Sequence, residues 1–320
     1  MTYLTGKWIP PVLATLAELG VADAVAEKPL TPAELADRLD VRPRELYRVL
    51  RAAASIGVFA EDAAGRFGLT ETARWLRSDV PGSLRFAARM FALEPFWAPY
   101  ARLTHTVRTG EPAFDAVYGQ GIHQYLHENP EVAAIFGQAA SAFHGQAMVP
   151  IAGAYEFPPH GTIVDVGGGS GALLAAVLRR NPDARGILFD QEPVLPVARE
   201  TLAEFAGRVQ LVAGDYFAEV PAGDVYVIKS CLHTLPDDDV IAVLTVLRKR
   251  SAPVLIVETM IPAGNEPHYA KFDDIEMMAV AGGADRTEHE WSALAAAAGF
   301  RPAPVRRCDE RFSLLVAEPC

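Results

Sequence analysis

Cysteine is scarce in this chain: its 320 residues hold three, Cys231, Cys308 and Cys320. An odd number with no paired spacing argues against a disulfide framework or a zinc cage, and for a reducing compartment. Positive charge is also in deficit. Lysine and arginine total 29 against 40 aspartates and glutamates, a formal net charge of −11. A surface of that sign repels polyphosphate, so nucleic acid is not expected as a partner. Long apolar runs are missing too. None approaches the ~20 residues that span a bilayer, and the N-terminus, where Lys7 precedes Trp8-Ile9-Pro10-Pro11, has helical spacing and not a signal-peptide pattern. No membrane association and a cytoplasmic location are therefore expected. Apolar residues themselves are plentiful, at 50%, enough for a sizeable core and two domains.

Residues 8–78 read as short helices closed by a hairpin. Thr31-Pro32-Ala33-Glu34 offers an N-cap, a proline at the first helical position and a glutamate at the third. From Arg44 to Ala53 apolar residues recur every three or four positions, which predicts an amphipathic helix that Gly57 closes. Val58-Phe59-Ala60 and Arg66-Phe67-Gly68-Leu69 flank Asp62-Ala63-Ala64-Gly65, a hairpin turn. This is the outline of an all-α winged-helix-type domain with a wing. Arg44, Arg48 and Arg51 share the polar side of one helix and invite a DNA-binding regulator as a reading. Glu18, Asp23, Glu27, Glu34, Asp37, Asp40 and Glu45 cancel them, so the basic footprint is missing. A dimerisation platform over 1–100 fits better. Helices continue through 101–155, a linker expected to contribute to a substrate pocket. His123 and His127 stand four apart there without a third ligand at a matching spacing, so no metal is expected.

From 161 onward strands alternate with helices, which predicts a Rossmann-like doubly wound α/β sheet over 156–320. Strands are expected at 162–166, 186–189, 209–212, 225–228 and 254–257, with helices at about 171–180, 192–205 and 237–249. Residues 304–308 and 312–317 form a C-terminal antiparallel hairpin. The first strand, Ile163-Val164-Asp165-Val166, runs directly into Gly167-Gly168-Gly169-Ser170-Gly171 and an apolar helix. Glycines there allow a tight turn and let a ligand touch backbone N–H groups at a helix N-terminus.

A glycine run alone is weak evidence, and three features sharpen it. Asp190 ends the next strand, 19 residues after Gly171, where a carboxylate can accept two hydrogen bonds from a ribose diol. Gly214-Asp215-Tyr216-Phe217 follows the third strand, placing an acid to bond an adenine amine and aromatics to cover its face. The loop reads Gly-x-Gly-x-Gly, not the Gly-x-Gly-x-x-Gly of dinucleotide folds, and Asp165 beside it repels a phosphate. That carboxylate suits an ammonium and a sulfonium. Together these features predict S-adenosylmethionine.

Lys229-Ser230-Cys231-Leu232-His233 follows the fourth strand, Glu258 follows the fifth, and Asp285-Arg286-Thr287-Glu288 lies between the fifth strand and the hairpin. Open α/β sheets place ligands at the carboxyl ends of their strands, so His233 reads as a base with two carboxylates near it. A phenol of pKa about 10 is a poor nucleophile at pH 7, and an imidazole of pKa about 6.5 can remove its proton. A carboxylate on the other ring nitrogen fixes the tautomer. The positive sulfur already activates the methyl group, so no metal is required. Cys231 has no activating partner in view and reads as a packed thiol.

With these residues in place, the chain resembles the S-adenosylmethionine-dependent O-methyltransferases of the caffeate/hydroxyneurosporene type over nearly its whole length. Glu18-Leu19-Gly20-Val21-Ala22-Asp23, Thr109-Gly110-Glu111-Pro112-Ala113-Phe114 and Asp165–Gly171 carry the resemblance. Asp190, Asp215, Lys229 and Gly282-Gly283-Ala284-Asp285-Arg286-Thr287 complete it. The resemblance implies methylation of a hydroxyl on a small aromatic or polyketide-like molecule in natural-product biosynthesis, with S-adenosylhomocysteine as product. It implies His233 as general base, bracketed by Glu258 and Asp285. It assigns cofactor binding to Asp165, Gly167, Gly169, Asp190, Gln191, Gly214, Asp215, Tyr216, Phe217, Lys229 and Ser230. Substrate contacts fall to Phe143, Glu276, Met277 and Val280, and the N-terminal domain implies a homodimer.

Three departures qualify that picture. The family's His-Asp-Trp is His233-Thr234-Leu235 here, which predicts an altered base pKa or a larger pocket. Its glutamate before Arg-Thr is Asp285, one methylene shorter, which predicts a longer hydrogen bond to His233 or none. Glu276 either suits an acceptor bearing an amine or several hydroxyls, or faces water. Relatives of this fold that hydroxylate, decarboxylate or catalyse pericyclic reactions tend to lose the base, and His233 is retained.

Overall fold

The structure is a computed structural model that describes residues 2–145 and 147–320. It divides into two compact units, Met1–Arg102 with Val117–Gln146, and Leu103–Ala116 with Ala147–Cys320. The 101–155 stretch, expected as one linker, is thus shared between them. Helix Pro130–Gly145 packs on helix Arg85–Met90 in the first unit, where Phe136 stacks on Phe96 at 5.7 Å. Ala113 and Phe114, by contrast, are buried in the second unit.

In the first unit, helix Pro32–Leu39 begins with a reciprocal capping box. The Thr31 hydroxyl accepts from the Glu34 N–H, and the Glu34 carboxylate accepts from the Thr31 N–H at 2.7 Å. Such a cap contributes about 1 kcal/mol. Helix Pro43–Ala54 buries Leu46, Leu50 and Ala53 and leaves Arg44, Arg48 and Arg51 in solvent. Strands β1 (Ala60–Glu61) and β2 (Phe67–Gly68) pair antiparallel, and the Asp62 carboxylate closes their turn by accepting from Ala64 and Arg66 N–H groups. Phe59 and Phe67 join Leu16, Val21, Leu35 and Leu50 in one core. Arg85 latches that core's rim: it donates to the Ala17 carbonyl at 2.8 Å and pairs with Asp23 at 3.0 Å. Among the described residues no helix is long and apolar enough to cross a membrane.

The second unit is a doubly wound sheet. Strands β3 (Thr162–Val166), β4 (Arg185–Asp190), β5 (Val209–Ala213), β6 (Val225–Lys229) and β7 (Val254–Thr259) are parallel. Strands β8 (Phe300–Pro302), β9 (Arg306–Arg307) and β10 (Phe312–Pro319) follow, and β10 enters antiparallel to β7. The order is β5-β4-β3-β6-β7-β10-β8, with β9 also on β10. Side chains alternate between two apolar layers, as strand geometry requires. Ile163, Val225, Val227 and Leu255 face helix Ala172–Arg180, while Val164, Tyr226, Ile228 and Ile256 face helices Asp237–Arg248 and Glu288–Ala297. Because β4 and β6 flank β3 on opposite sides, their crossovers diverge and open a crevice at the strands' carboxyl ends.

Two details differ from the sequence reading. The helix expected over 192–205 is a 3₁₀ turn Glu192–Val194, an α-helix Leu195–Thr201 and a second 3₁₀ turn Ala203–Phe205. Pro196 lacks the N–H group that a continuous helix would donate to the Glu192 carbonyl. The tail also contributes β8, which pairs with the far end of β10 beyond the hairpin.

Candidate active site

The crevice floor is the loop that leaves β3. Gly168 leaves no room for a side chain, since a Cβ there would lie 2.9 Å from the Asp165 carboxylate beneath it. Gly169, at φ +56°, turns its other side to open space and donates its N–H to Asp190 Oδ2 at 2.8 Å. Asp190 Oδ1 accepts from the Gln191 N–H at 2.7 Å. The two bonds aim the Asp190 carboxylate along the loop and leave each oxygen a lone pair for a diol.

Asp165 is 2% exposed, and its Oδ2 has no partner among the described residues. Burial pushes it up to about 7; Lys229 opposes that rise and Asp190 adds to it. A buried, unpaired carboxylate oxygen fits a cationic ligand. Beyond β5, the Asp215 carboxylate accepts from the Phe217 N–H at 2.9 Å, and the Tyr216 and Phe217 rings lie 5.1 Å apart. Gly214 is obligatory there, because a Cβ would lie 2.4 Å from the Phe189 ring. Two rings at the end of one strand and a carboxylate at the end of the next suit an aromatic base attached to a ribose. The residues present fit S-adenosylmethionine.

The far wall begins at β6. Burial lowers the Lys229 pKa, opposed by the carboxylates of Glu258 and Asp165. The ammonium donates to the Ser230 hydroxyl at 3.1 Å and lies 5.1 Å from the Phe312 ring centre. Ser230 has φ +52°, a strained backbone for a non-glycine residue and one that clusters at functional sites. Burial drives the Cys231 thiol far above its usual range, and its sulfur sits against the carbonyls of Lys229 and Gly167. It is a packed thiol, not an activated one.

His233 lies on the 3₁₀ turn Leu232–Thr234. The sequence reading set Glu258 and Asp285 on either side of its ring, and the structure gives them different tasks. Glu258 is fully buried at the end of β7, and its Oε1 accepts the N–H groups of Cys231 at 3.2 Å and Leu232 at 3.1 Å. It holds the backbone that carries His233, because β6 and β7 are neighbours and the turn folds over the end of β7. Asp285 takes the ring: its Oδ1 is 3.0 Å from His233 Nδ1. An ionised carboxylate only accepts, so Nδ1 carries the proton and Nε2 keeps its lone pair.

The expected lengthening of that bond is absent, and the backbone explains why. A Cβ on Gly283 would lie 2.2 Å from the His233 carbonyl oxygen, and the Ala284 N–H donates to that oxygen at 2.9 Å. The two segments touch main chain to main chain, and this closeness makes up for the missing methylene. Thr234 turns its hydroxyl inward to the Cys231 carbonyl at 2.7 Å, so it supplies the turn with a cap and the ring with no acid.

Burial disfavours the charged form of His233, but the charge of Glu258, the bond and charge of Asp285 and the charge of Asp273 outweigh it. The net shift is upward. Asp273 was not singled out from the sequence. Its side chain is 11% exposed on helix Ala270–Glu276, accepts from the Tyr269 hydroxyl at 2.9 Å and lies 3.6 Å from Arg311. The one available signal was a pair of acids, Asp273-Asp274, on a helix that precedes Asp285. Asp274 also serves the site, since it accepts the Asp285 N–H at 3.0 Å.

Glu276 and Met277 are part-buried and Val280 is buried, where the helix widens into a π-helical turn, Met277–Ala281. The Gly282 N–H closes that turn on the Met277 carbonyl at 2.8 Å. Such widened turns recur at functional sites. Phe143 belongs to the first unit, where its ring meets Phe91 edge-on at 5.8 Å.

Comparison with known proteins agrees with this geometry. The O-methyltransferase domain family matches residues 100–301, and the O-methyltransferase dimerisation domain family matches residues 1–79. Phenazine O-methyltransferase PhzM of Lysobacter antibioticus is 41% identical over 323 residues, covering 99% of this chain and 94% of that protein. The crystal structure of LaPhzM superposes with a TM-score of 0.93 at 39% identity, over 100% of this chain and 98% of that one. The O-methyltransferase NcsB1 from neocarzinostatin biosynthesis, solved with S-adenosylhomocysteine and 1,4-dihydroxy-2-naphthoic acid, gives 0.83 at 30% identity over 98% and 96%. Neither the non-methylating reading nor the DNA-binding one finds support among these relatives. An acidic crevice floored by glycines, a part-buried histidine–aspartate pair beyond β6 and matches along both domains converge on one family, and the chain belongs to the S-adenosylmethionine-dependent O-methyltransferases.

Proposed function

We propose that this enzyme methylates a ring hydroxyl of a small fused aromatic molecule, with His233 as general base. The observation that carries the proposal is the His233 Nδ1–Asp285 Oδ1 contact of 3.0 Å, which leaves Nε2 as the proton acceptor on a ring whose side chain keeps 15% exposure. His233 takes the hydroxyl proton as the oxygen becomes a nucleophile, and Asp285 stabilises the imidazolium that forms. S-Adenosylmethionine, when bound, supplies an electrophilic methyl group and leaves as S-adenosylhomocysteine. Asp190 and Gln191 hold its ribose; Asp215, Tyr216 and Phe217 its base; Asp165, Gly167, Gly169, Lys229 and Ser230 its amino-acid end. Glu276, Met277 and Val280 line the acceptor side.

The acceptor class is supported by the relatives named for phenazine and naphthoate chemistry, and by the apolar Met277 and Val280 on the π-helical turn, side chains that suit a flat apolar ring. Residues 1–100 form the dimerisation domain, so the working enzyme is a homodimer. The test is incubation with S-adenosylmethionine and a panel of hydroxyphenazines and hydroxynaphthoates. One S-adenosylhomocysteine should form per methyl ether. Acceptor turnover without it overturns the proposal, and a monomer in sedimentation overturns the assembly.

A further inference from the structure

Arg286 is 3% exposed, and a guanidinium is costly to bury unless its donors are satisfied. Its donors go to two separate segments. Nη2 donates to the Leu235 carbonyl at 2.8 Å, two residues past His233. Nη1 donates to the Ala284 carbonyl at 2.9 Å, directly before Asp285. Nε donates to Asp237 Oδ1 at 2.8 Å, where helix Asp237–Arg248 begins, and the Trp291 ring supports the plane at 4.9 Å. Both partners of the catalytic pair therefore lie within two residues of a group that Arg286 holds.

We propose that Arg286 is a positioning residue for methyl transfer, joining the segment that carries His233 to the segment that carries Asp285 and thereby setting their 3.0 Å hydrogen bond. The inference rests on His233 being the base. The planar fork matters. Its nitrogens diverge in fixed directions toward two carbonyls and a carboxylate, and a lysine ammonium on a flexible stem cannot serve all three at once. A merely structural arginine would stabilise the unit without any special coupling to Asp285.

The test combines Arg286→Lys and Asp237→Asn, each alone and each with Asp285→Asn. The Asp237 side chain is 68% exposed, so Asp237→Asn leaves the core untouched and decides the matter if Arg286→Lys fails to fold. We expect Arg286→Lys to lower kcat by about 10–100-fold with KM for S-adenosylmethionine within about twofold. The acidic limb of its pH profile should move to lower pH, as the ring loses Asp285. In the Asp285→Asn background either change should cost less than about twofold, because the pair is already broken. Asp237→Asn should act in the same direction with a smaller effect. Equal losses in both backgrounds, or an unmoved acidic limb, would overturn the proposal. Full activity of His233→Ala would instead overturn the base assignment on which it rests.

Discussion

Asp285 Oδ1 lies 3.0 Å from His233 Nδ1 although 52 residues separate the two in sequence. Both sit in a part-buried setting, the Asp285 side chain fully so. The pair fixes the imidazole tautomer with the proton on Nδ1, and in the proposed mechanism Nε2 then takes the acceptor's proton. His233→Ala should lower turnover by about 10²–10⁴-fold and leave cofactor affinity nearly unchanged. Asp285→Asn should keep the shape but lose the charge that stabilises the imidazolium, giving an intermediate loss. Single-turnover formation of S-adenosylhomocysteine measures both, and near-normal rates for His233→Ala would remove it as the base.

The same pair sets a pH dependence. A base must be deprotonated to act, and the pKa of His233 is raised because Glu258, Asp285 and Asp273 outweigh the opposing effect of burial. The acidic limb of kcat/KM should therefore lie above the ordinary imidazole value of about 6.5. Asp273→Asn removes one carboxylate without touching the ring's hydrogen bond and should move that limb toward lower pH. The linked stability has the opposite sense to the activity: protonated His233 favours the folded state below about 6.5, and that contribution is lost as pH rises through the folded-state value. Melting curves of the wild type against His233→Gln should diverge on the acidic side.

Cofactor affinity should also respond to pH, through Asp165. Its pKa is pushed up to about 7 by burial, and the ionised form is the one that attracts a cation. Affinity should rise with pH through this range in the wild type and stay flat in Asp165→Asn. For the apo protein the sign reverses. A carboxyl with a raised folded-state pKa costs stability as pH climbs from about 4 toward 7, so Asp165→Asn should melt higher than the wild type at pH 8. Calorimetric titration and thermal melting give the two readouts, and a flat wild-type affinity would refute the role.

Asp190→Ala removes the acceptor that Gly169 and Gln191 orient. The ribose hydroxyls then have no carboxylate, and affinity for S-adenosylhomocysteine should fall by about 1–3 kcal/mol, roughly 5–150-fold. Isothermal titration is sufficient, and unchanged affinity would count against the assignment.

Gly283→Ala tests the backbone contact. A Cβ placed 2.2 Å from the His233 carbonyl oxygen must separate the two segments. The expected cost is about 1–3 kcal/mol of stability together with a loss of activity larger than that destabilisation accounts for. A stable, fully active variant would show that the contact is dispensable.

Much of the architecture could be read without coordinates, because the signals were local. The capping box at Thr31 and Glu34, the Asp62 turn and the five parallel strands each depend on residues close together in the chain. Strand ends were placed within two residues, and β8 was missed because Phe300-Arg301-Pro302 is too short to show a period. The Pro193–Pro196 interruption was visible in the sequence but outweighed by the apolar pattern around it.

The chemistry divides in a similar way. The glycine loop, Asp190 and the acid–aromatic pair Asp215-Tyr216 identified a cofactor from residue types at strand ends, since the carboxyl edge of a parallel sheet places any residue found there in the crevice. The sequence by itself determined the fold class and the cofactor, and it singled out His233 as the candidate base. Only tertiary structure decided which carboxylate serves His233. Side-chain length argued against Asp285, and the close main-chain packing that the missing Cβ of Gly283 allows reversed that argument. It also decided that Glu258 holds backbone, that Asp273 adds charge and that Arg286 joins the two segments. Those roles depend on distances between segments about 25–50 residues apart, which long-range packing sets and local pattern does not record.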